Sequence, residues 1–241
     1  MKVEIYSDVV CPWCYIGERR FRRALAAYPG ADRVEVVYRS YQLDPDAPAE
    51  AVPLMEYLRK RFGASVDGML ARVTENAAGE GIEMAWDRAQ AVNTLTAHRV
   101  LRLAEQEYGA DVQRALAERL FEAHFSRGSD VSDHELLAEL AESVGMDRAR
   151  VQAYLASGAG EEETRREIEQ ARRLGVTAVP TFVFEGRWAV QGAQPASTFL
   201  QALEEVAKQM AGAGAASGRA SGGEGDDAAP DADCADGSCA V

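Results

Sequence analysis

The sequence lacks any apolar run that approaches the roughly 20 residues of a membrane-spanning helix. It also lacks an excess of positive charge, because 26 Lys and Arg residues stand against 39 Asp and Glu residues, a net charge of −13. Binding to a phosphate backbone requires concentrated positive charge. We therefore expect neither membrane insertion nor a nucleic-acid partner.

The N-terminus lacks the apolar core of a signal peptide, since charged and apolar residues alternate from Lys2 to Tyr6. We therefore expect a cytoplasmic protein. Cysteine is scarce, with 4 among 241 residues, and the four form two close pairs, Cys11/Cys14 and Cys234/Cys239. In a cytoplasmic chain, this arrangement favours redox or metal chemistry over a structural disulfide framework.

The first 50 residues have the pattern of a β-α-β unit. Apolar residues alternate in residues 3–6, follow helical spacing in residues 21–28, and alternate again from residue 34 to about Leu43. This order places the pair Cys11/Cys14 at the predicted junction of strand and helix.

The next segment, residues 51–174, has helical spacing wherever a pattern can be recognised. Ser132 and Glu135 have the spacing of a capping box and predict a helix start there. A helical block of this length is typical of an insertion between two halves of an α/β fold.

Strand patterns return at residues 181–184 and 188–191, and a last helix is predicted for residues 195–210. The order predicts an α/β protein with a thioredoxin fold, formed by residues 1–50 and 175–210. The helical block is then an all-helical insertion domain.

Residues 211–241 differ in composition from the rest of the chain. They are mostly Gly, Ala, Ser and Asp, contain no aromatic residue, and set one basic residue, Arg219, against six acidic ones. Such a segment buries too little apolar surface to offset its ordering entropy, so we expect a flexible acidic tail. The pair Cys234/Cys239 lies in this tail.

The start of a helix stabilises a thiolate, because unpaired N–H groups and the helix dipole favour negative charge there. Cys11 is therefore the expected nucleophile. Cys14, three residues later, is placed to attack a mixed disulfide at Cys11 and release the client. The alternative is a zinc site with four thiolate ligands, which would have to recruit Cys234 and Cys239 from the tail.

A second pattern is the proline that directly precedes a strand, Pro180 after Val179. It is either an ordinary trans proline at a strand start or the cis proline that faces the nucleophile in thioredoxin folds. A cis bend would leave the backbone of Val179 free to pair with an extended client strand.

The sequence resembles the DsbA-like thioredoxin superfamily, and within it the cytoplasmic FrnE-like branch, over roughly residues 1–208. The resemblance is carried by Tyr6–Gly17 with its Cys-Pro-Trp-Cys motif, Gly175–Phe182, Asn93-Thr94 with Ala97-His98, and Ser129–Asp133.

The resemblance implies a thiol–disulfide oxidoreductase or protein disulfide isomerase that needs no cofactor and no metal. Cys11 and Cys14 would be catalytic, and Pro180, Val179 and Trp13 would dock the client. The partners would be client proteins with disulfides or thiols, and glutathione or thioredoxin would be the redox partner. A connection with oxidative stress follows from the same resemblance.

A C-x4-C tail also resembles some FrnE-like proteins, so Cys234 and Cys239 are a candidate second redox pair. A coil of about 22 residues averages roughly 26 Å end to end, and a domain of about 210 residues has a radius of gyration near 17 Å. Exchange with Cys11/Cys14 is therefore within reach. A passive, readily oxidised dithiol is the alternative.

The same superfamily contains kappa-class glutathione transferases and 2-hydroxychromene-2-carboxylate isomerases, which typically carry serine at the active position. They are the alternative enzyme class for this chain. Three weaker candidates remain open: Asp8 is either a proton acceptor near Cys14 or a turn residue, and Asn93 and His98 either border the site or pack helices.

Overall fold

The computed structural model describes the backbone of residues 1–217 and the side chains of residues 1–212. In chain order its elements are β1 (Lys2–Ser7), α1 (Pro12–Ala27), a 3₁₀ turn (Ala31–Arg33), β2 (Glu35–Ser40), β3 (Val52–Pro53), α2 (Leu54–Phe62), a second 3₁₀ turn (Gly63–Ser65), α3 (Val66–Ala78), β4 (Gln90–Ala91), α4 (Leu95–Tyr108), α5 (Ala110–Phe121), a π-helical segment (Glu122–Arg127), α6 (His134–Ser143), α7 (Arg148–Ala156), α8 (Glu161–Arg173), β5 (Thr181–Phe184), β6 (Trp188–Gln191) and α9 (Ala196–Ser217).

The central sheet has four strands in the order β2-β1-β5-β6. Strand β1 pairs parallel with β2 and antiparallel with β5, so that Ile5 lies opposite both Tyr38 and Phe182. Strand β6 continues the sheet antiparallel to β5. Strand-helix-strand, a helical block, then strand-strand-helix is the order that the sequence predicts for a thioredoxin fold.

Two predicted boundaries differ from the structure. Strand β2 ends at Ser40 and not near Leu43, because the Leu43 amide leaves the ladder and donates to Asp8 Oδ2 at 2.8 Å. The last helix continues past Met210 to Ser217. Its extension is rich in alanine, which has the highest helix propensity.

The helical block also differs in two details. A two-residue antiparallel pair, β3 with β4, brings Val52 opposite Ala91 inside the segment that the sequence predicts to be all helical. Helix α6 is capped by Asp133, whose carboxylate accepts from the Leu136 amide at 2.8 Å. The predicted capping residue, Ser132, instead donates its amide and its hydroxyl to Asp130.

Helix α1 is held between two aromatic clusters. On one side Phe21 contacts Phe182 of β5 and Phe199 of α9, with ring centroids 5.2 and 5.5 Å apart. On the other side Tyr15 stacks on Phe121 of α5 at 5.3 Å. Aromatic pairs at these distances add to the free energy of burial. The helix that carries the two N-terminal cysteines is therefore fixed from both the sheet and the helical block.

Helices α2–α8 all lie between β2 and β5 in the chain. On this order we propose the division into a thioredoxin-fold domain, residues 1–50 and 175–210, and a helical insertion domain, residues 51–174. Within the described residues, no helix combines the length and the apolar character that crossing a membrane requires.

One carboxylate lies buried on α1, one turn after Cys14. Glu18 has its oxygens 3.8 and 3.9 Å from the Nε atoms of Arg22 and Arg19, and Glu18 Oε2 accepts no hydrogen bond. Burial raises the pKa of Glu18 to about 7. The folded protein therefore binds a proton here that the unfolded chain releases above about pH 4.5. The resulting cost to stability grows between pH 4.5 and 7 and is complete above pH 7.

A glycine with a left-handed backbone ends the π-helical segment. Gly128 has φ +72°, and a Cβ atom there would lie 2.5 Å from Arg88 Cβ and 2.7 Å from Arg88 C. Gly81, which follows α3, has nearly the same φ, +71°, but no atom lies within 4 Å of the position of its Cβ. A substitution at Gly81 therefore measures backbone strain alone, and a substitution at Gly128 measures backbone strain together with steric overlap.

We expect Glu18→Gln to stabilise the protein by about 3 kcal/mol at pH 8 and by little at pH 4. The amide keeps the shape of the side chain and removes the buried charge. Urea unfolding at both pH values measures the difference, with Glu139→Gln, an exposed carboxylate on α6, as the control. Equal changes at pH 4 and pH 8 would contradict the assignment of a raised pKa to Glu18.

We expect Gly81→Ala to cost about 1 to 2 kcal/mol of the free energy of unfolding, because alanine resists a left-handed backbone. Gly128→Ala should cost about 3 kcal/mol or more, because the new methyl group also overlaps Arg88. Chemical denaturation of both variants tests this difference. Equal losses of unfolding free energy in the two variants would contradict it, because they would show that the chain at Arg88 moves to accommodate the methyl group without a loss of stability.

Candidate active site

Cys11 and Cys14 lie at the N-terminus of α1. Cys11 is the residue before the helix, Pro12 is its first residue, and the Cys11 amide donates to the Asp8 carbonyl at 3.0 Å. Helix α1 has no side-chain cap, so its first N–H groups and its dipole are directed at the position of Cys11. Both cysteines are free thiols, and their exposed fractions are only 3% and 2%.

The Val179–Pro180 segment lies against the same helix end. The peptide bond between the two residues is cis, and the Cys11 thiol donates to the Val179 carbonyl at 3.7 Å. Gly17 makes this approach possible, since a Cβ atom on Gly17 would lie only 3.0 Å from Pro180 Cγ. The structure therefore brings together Cys11, Cys14, Val179 and Pro180, as the resemblance implies.

Trp13, between the two cysteines, is half-buried against the core. The guanidinium group of Arg72 on α3 lies over its ring, 5.7 Å from the centroid. This cation–π contact covers part of the indole. Trp13 thus packs against the helical block and retains part of its surface at the site.

Burial raises the pKa of the Cys14 thiol well above its ordinary value, and the neighbouring Cys11 thiol raises it further. Hydrogen bonds from the Ser7 side chain and the Asp8 backbone to the sulfur lower the pKa and only partly compensate. Cys14 is therefore a protonated thiol at neutral pH until a partner removes its proton.

Asp8 is buried behind the cysteines and faces His98 of α4. The Nε2 atom of His98 lies 3.3 Å from Asp8 Oδ1, and the exposed fractions of the two residues are 2% and 1%. Asp8 Oδ2 accepts from the Leu43 amide. The Asp8 carbonyl accepts from the Cys11 amide in the turn before α1, and His98 contacts Asp8. The role of Asp8 as a proton acceptor and that of His98 at the border of the site stay predictions.

Asn93 has a structural role in the loop before α4. Its Oδ1 accepts from the Leu95 amide at 3.0 Å and from the Gln42 side chain at 3.0 Å, and its Nδ2 donates to the Pro45 carbonyl at 2.8 Å. These bonds join the loop that follows β2 to the start of α4. Asn93 does not reach the cysteines through any of them.

The sequence gives no role to His124, which the structure buries completely in the π-helical segment. Neither ring nitrogen has a hydrogen-bond partner among the described residues, and the ring lies edge-on to Phe125 at 4.5 Å. Burial lowers the pKa of His124 to about 4, so the imidazole is neutral at pH 7. A single histidine in an apolar helical stripe carries no signal from which this burial could be predicted.

Among residues 1–217, no group of three or more His, Cys, Asp and Glu side chains is arranged to hold a metal ion. The four-thiolate zinc alternative requires Cys234 and Cys239, which lie outside the described residues. The predicted second redox pair lies outside them as well.

Comparison with known proteins places the chain in a family. The model of the DSBA-like thioredoxin domain matches residues 2–204. A structure described as a "probable DsbA oxidoreductase" from Streptomyces coelicolor is 38% identical to this chain, with 85% of this chain and 89% of that one covered and a TM-score of 0.77.

Two more distant structures share the fold. The cytosolic disulfide reductase DsbM from Pseudomonas aeruginosa is 19% identical, covers 87% of this chain and 100% of its own, and has a TM-score of 0.63; it has also been solved with GSH. A 2-hydroxychromene-2-carboxylate isomerase is 20% identical, with coverages of 88% and 98% and a TM-score of 0.63. With a family model that matches nearly its whole length, this chain belongs to the DsbA-like thioredoxin family, an oxidoreductase family that acts on thiols and disulfides.

Proposed function

We propose that the protein is a cytoplasmic thiol–disulfide oxidoreductase and protein disulfide isomerase of the FrnE-like kind. The observation that carries the proposal is the position of Cys11, which lies at the start of α1 and 3.7 Å from the Val179 carbonyl. At this position the helix dipole favours the thiolate. The backbone of Val179 lies beside it and can pair with an extended segment of a client.

The chemistry uses only the two cysteines of the motif. The Cys11 thiolate attacks a client disulfide, so that one client sulfur becomes bonded to Cys11 and the other leaves as a thiolate. Cys14 then loses its proton and attacks the Cys11 sulfur. The mixed disulfide breaks, a Cys11–Cys14 disulfide forms, and the second client sulfur leaves as a thiolate. Two electrons have passed to the client, and the reverse sequence oxidises a client dithiol.

Client docking is assigned to Val179, Pro180 and Trp13. The half-buried Val179 offers its backbone next to Cys11, and the cis Pro180 packs on Gly17 beneath it. Trp13 adds apolar surface between the cysteines. Backbone pairing gives affinity without demanding a particular client sequence, which suits an enzyme that acts on proteins with disulfides or thiols.

The electrons come from thiols, so the proposed reaction needs no cofactor and no metal. Glutathione or thioredoxin is the proposed redox partner, and the structure of DsbM with GSH supports glutathione. We retain Cys234/Cys239 as a proposed second redox pair that exchanges with Cys11/Cys14.

A glutathione-dependent isomerase or transferase is the second candidate, supported by the shared fold of the 2-hydroxychromene-2-carboxylate isomerase. That chemistry activates glutathione and exchanges no disulfide. Glutathione binding that saturates and survives Cys11→Ser would favour it, and loss of binding with Cys11→Ser would favour disulfide exchange.

Trapping a mixed disulfide tests the proposed function. In a chain with Cys234→Ser and Cys239→Ser, the further change Cys14→Ser should leave the reduced protein covalently bound to a disulfide-bonded peptide through Cys11, because no thiol remains to resolve the adduct. The matched variant Cys11→Ser should form at least about tenfold less adduct, since the raised pKa of Cys14 keeps its thiol protonated. Non-reducing electrophoresis and peptide mass spectrometry measure both. Equal adduct from the two variants, or none from either, would contradict the proposal.

A further inference from the structure

The resolving thiol, Cys14, is buried, so its proton cannot pass directly to solvent. The exposed fraction of Cys14 is as low as that of the core residues. Burial raises the pKa of its thiol, which is therefore protonated at neutral pH. In the proposed reaction it must lose that proton each time it attacks the Cys11 mixed disulfide. Some group within hydrogen-bond reach, directly or through one water, has to accept it.

A small cavity, with Ser7 in its wall, supplies a route. Its volume is about 10 Å³, close to the minimum that holds one water molecule. Polar groups that such a water requires are present in its wall, in Ser7, Ser40 and His98. Ser7 also hydrogen-bonds to the Cys14 sulfur. The same serine thus touches both the thiol and the cavity.

In the wall of the same cavity, His98 is oriented by Asp8. The 3.3 Å contact joins His98 Nε2 to Asp8 Oδ1. An ionised carboxylate only accepts hydrogen bonds, so Nε2 is the donor in this contact and Nδ1 is the ring nitrogen that the contact leaves available. The second oxygen of Asp8 is held by the Leu43 amide at 2.8 Å, which fixes the carboxylate in turn.

We propose that His98, oriented by Asp8, accepts the proton of Cys14 through Ser7 and one water in the cavity. The proposal rests on the proposed function. As Cys14 attacks, its S–H bond breaks, Ser7 Oγ accepts that proton, and Ser7 passes its own hydroxyl proton through the water to His98. A Cys11–Cys14 bond forms and the bond from Cys11 to the client breaks, so that the client sulfur leaves as a thiolate. The imidazolium pairs with the Asp8 carboxylate, so the buried charge is compensated. His98 is therefore the proposed proton acceptor, and Asp8, which orients it, is the positioning residue.

Other titratable and charged groups surround this route from every element packed on it. They are Cys11 and Glu18 of α1, Tyr38 and Arg39 of β2, Arg114 and Glu118 of α5, His124 of the π-helical segment, Asp130, and Glu167 of α8, whose carboxylate accepts from Ser40 Oγ at 2.6 Å. Glu18 is the strongest rival acceptor, because it lies one turn after Cys14 and is buried. The variant Glu18→Gln therefore distinguishes Glu18 from His98 as the proton acceptor.

The test follows two successive releases of thionitrobenzoate by stopped flow. Full-length reduced protein with Cys234→Ser and Cys239→Ser is mixed with equimolar dithiobis(nitrobenzoate). Attack by Cys11 releases the first equivalent, and attack by Cys14 on the resulting mixed disulfide releases the second. At pH 7, His98→Gln should slow the second release at least about tenfold and change the first by less than about twofold.

The pH profile distinguishes proton transfer from a structural effect. The ratio of second-phase rates, unsubstituted to His98→Gln, should fall as pH rises towards 9, because hydroxide then ionises Cys14 without the imidazole. Asp8→Asn should slow the same phase and decides the question if His98→Gln does not fold. Glu18→Gln should leave the second phase within about twofold.

Three results would overturn the proposal: equal slowing of both phases, a rate ratio that is constant with pH, or slowing by Glu18→Gln in place of His98→Gln. Failure of the proposed function has a different signature. In that case the second release is missing from the protein that retains His98 and Asp8.

Discussion

The contact between the start of α1 and the Val179–Pro180 segment joins residues that are 168 positions apart in the chain. It depends on a glycine, Gly17, at the one point where a side chain would press on Pro180. Because β1 pairs with β5, the strand before Cys11 and the strand after Pro180 are neighbours in the sheet. The sheet therefore sets the distance between the thiol and the Val179 carbonyl, and the aromatic contacts of Phe21 and Tyr15 hold α1 in place against it.

Burial is the main constraint on the proton chemistry of this site. The cysteines lie among core residues, where the helix dipole acts with little screening by water. The same burial keeps Cys14 protonated and leaves Glu18 and His124 as titratable groups in apolar surroundings. Buried titratable groups such as Glu18 and His124 lower the free energy of unfolding at pH values where burial opposes their charged forms. In the proposed reaction, exchange at the two thiols of the site depends on how protons move within the core.

The local parts of this account could be predicted from the sequence. Alternation predicts β1 and β2, the position of Pro12 agrees with a helix that begins after Cys11, and the strand patterns at 181–184 and 188–191 match β5 and β6. The α/β thioredoxin fold is confirmed. Each of these inferences uses side-chain spacing within one element, which is the information that a single sequence carries most directly.

The parts that could not be predicted depend on distant residues. Asp8 and His98 are 90 positions apart, and the packing of α4 on the sheet at β2 brings them together. The pair of β3 with β4 is too short to leave a pattern. At α6, Ser132 and Asp133 are both good capping residues, and the choice between them follows from the Asp130 carboxylate that engages Ser132.

A redox titration tests the central claim most directly. The full-length protein is equilibrated in glutathione buffers of graded potential, quenched by alkylation, and read by peptide mass spectrometry at all four cysteines. The account predicts that Cys11 and Cys14 oxidise together as one two-electron couple joined by a disulfide. Thiols at Cys11 and Cys14 that stay unpaired across the whole range would contradict it.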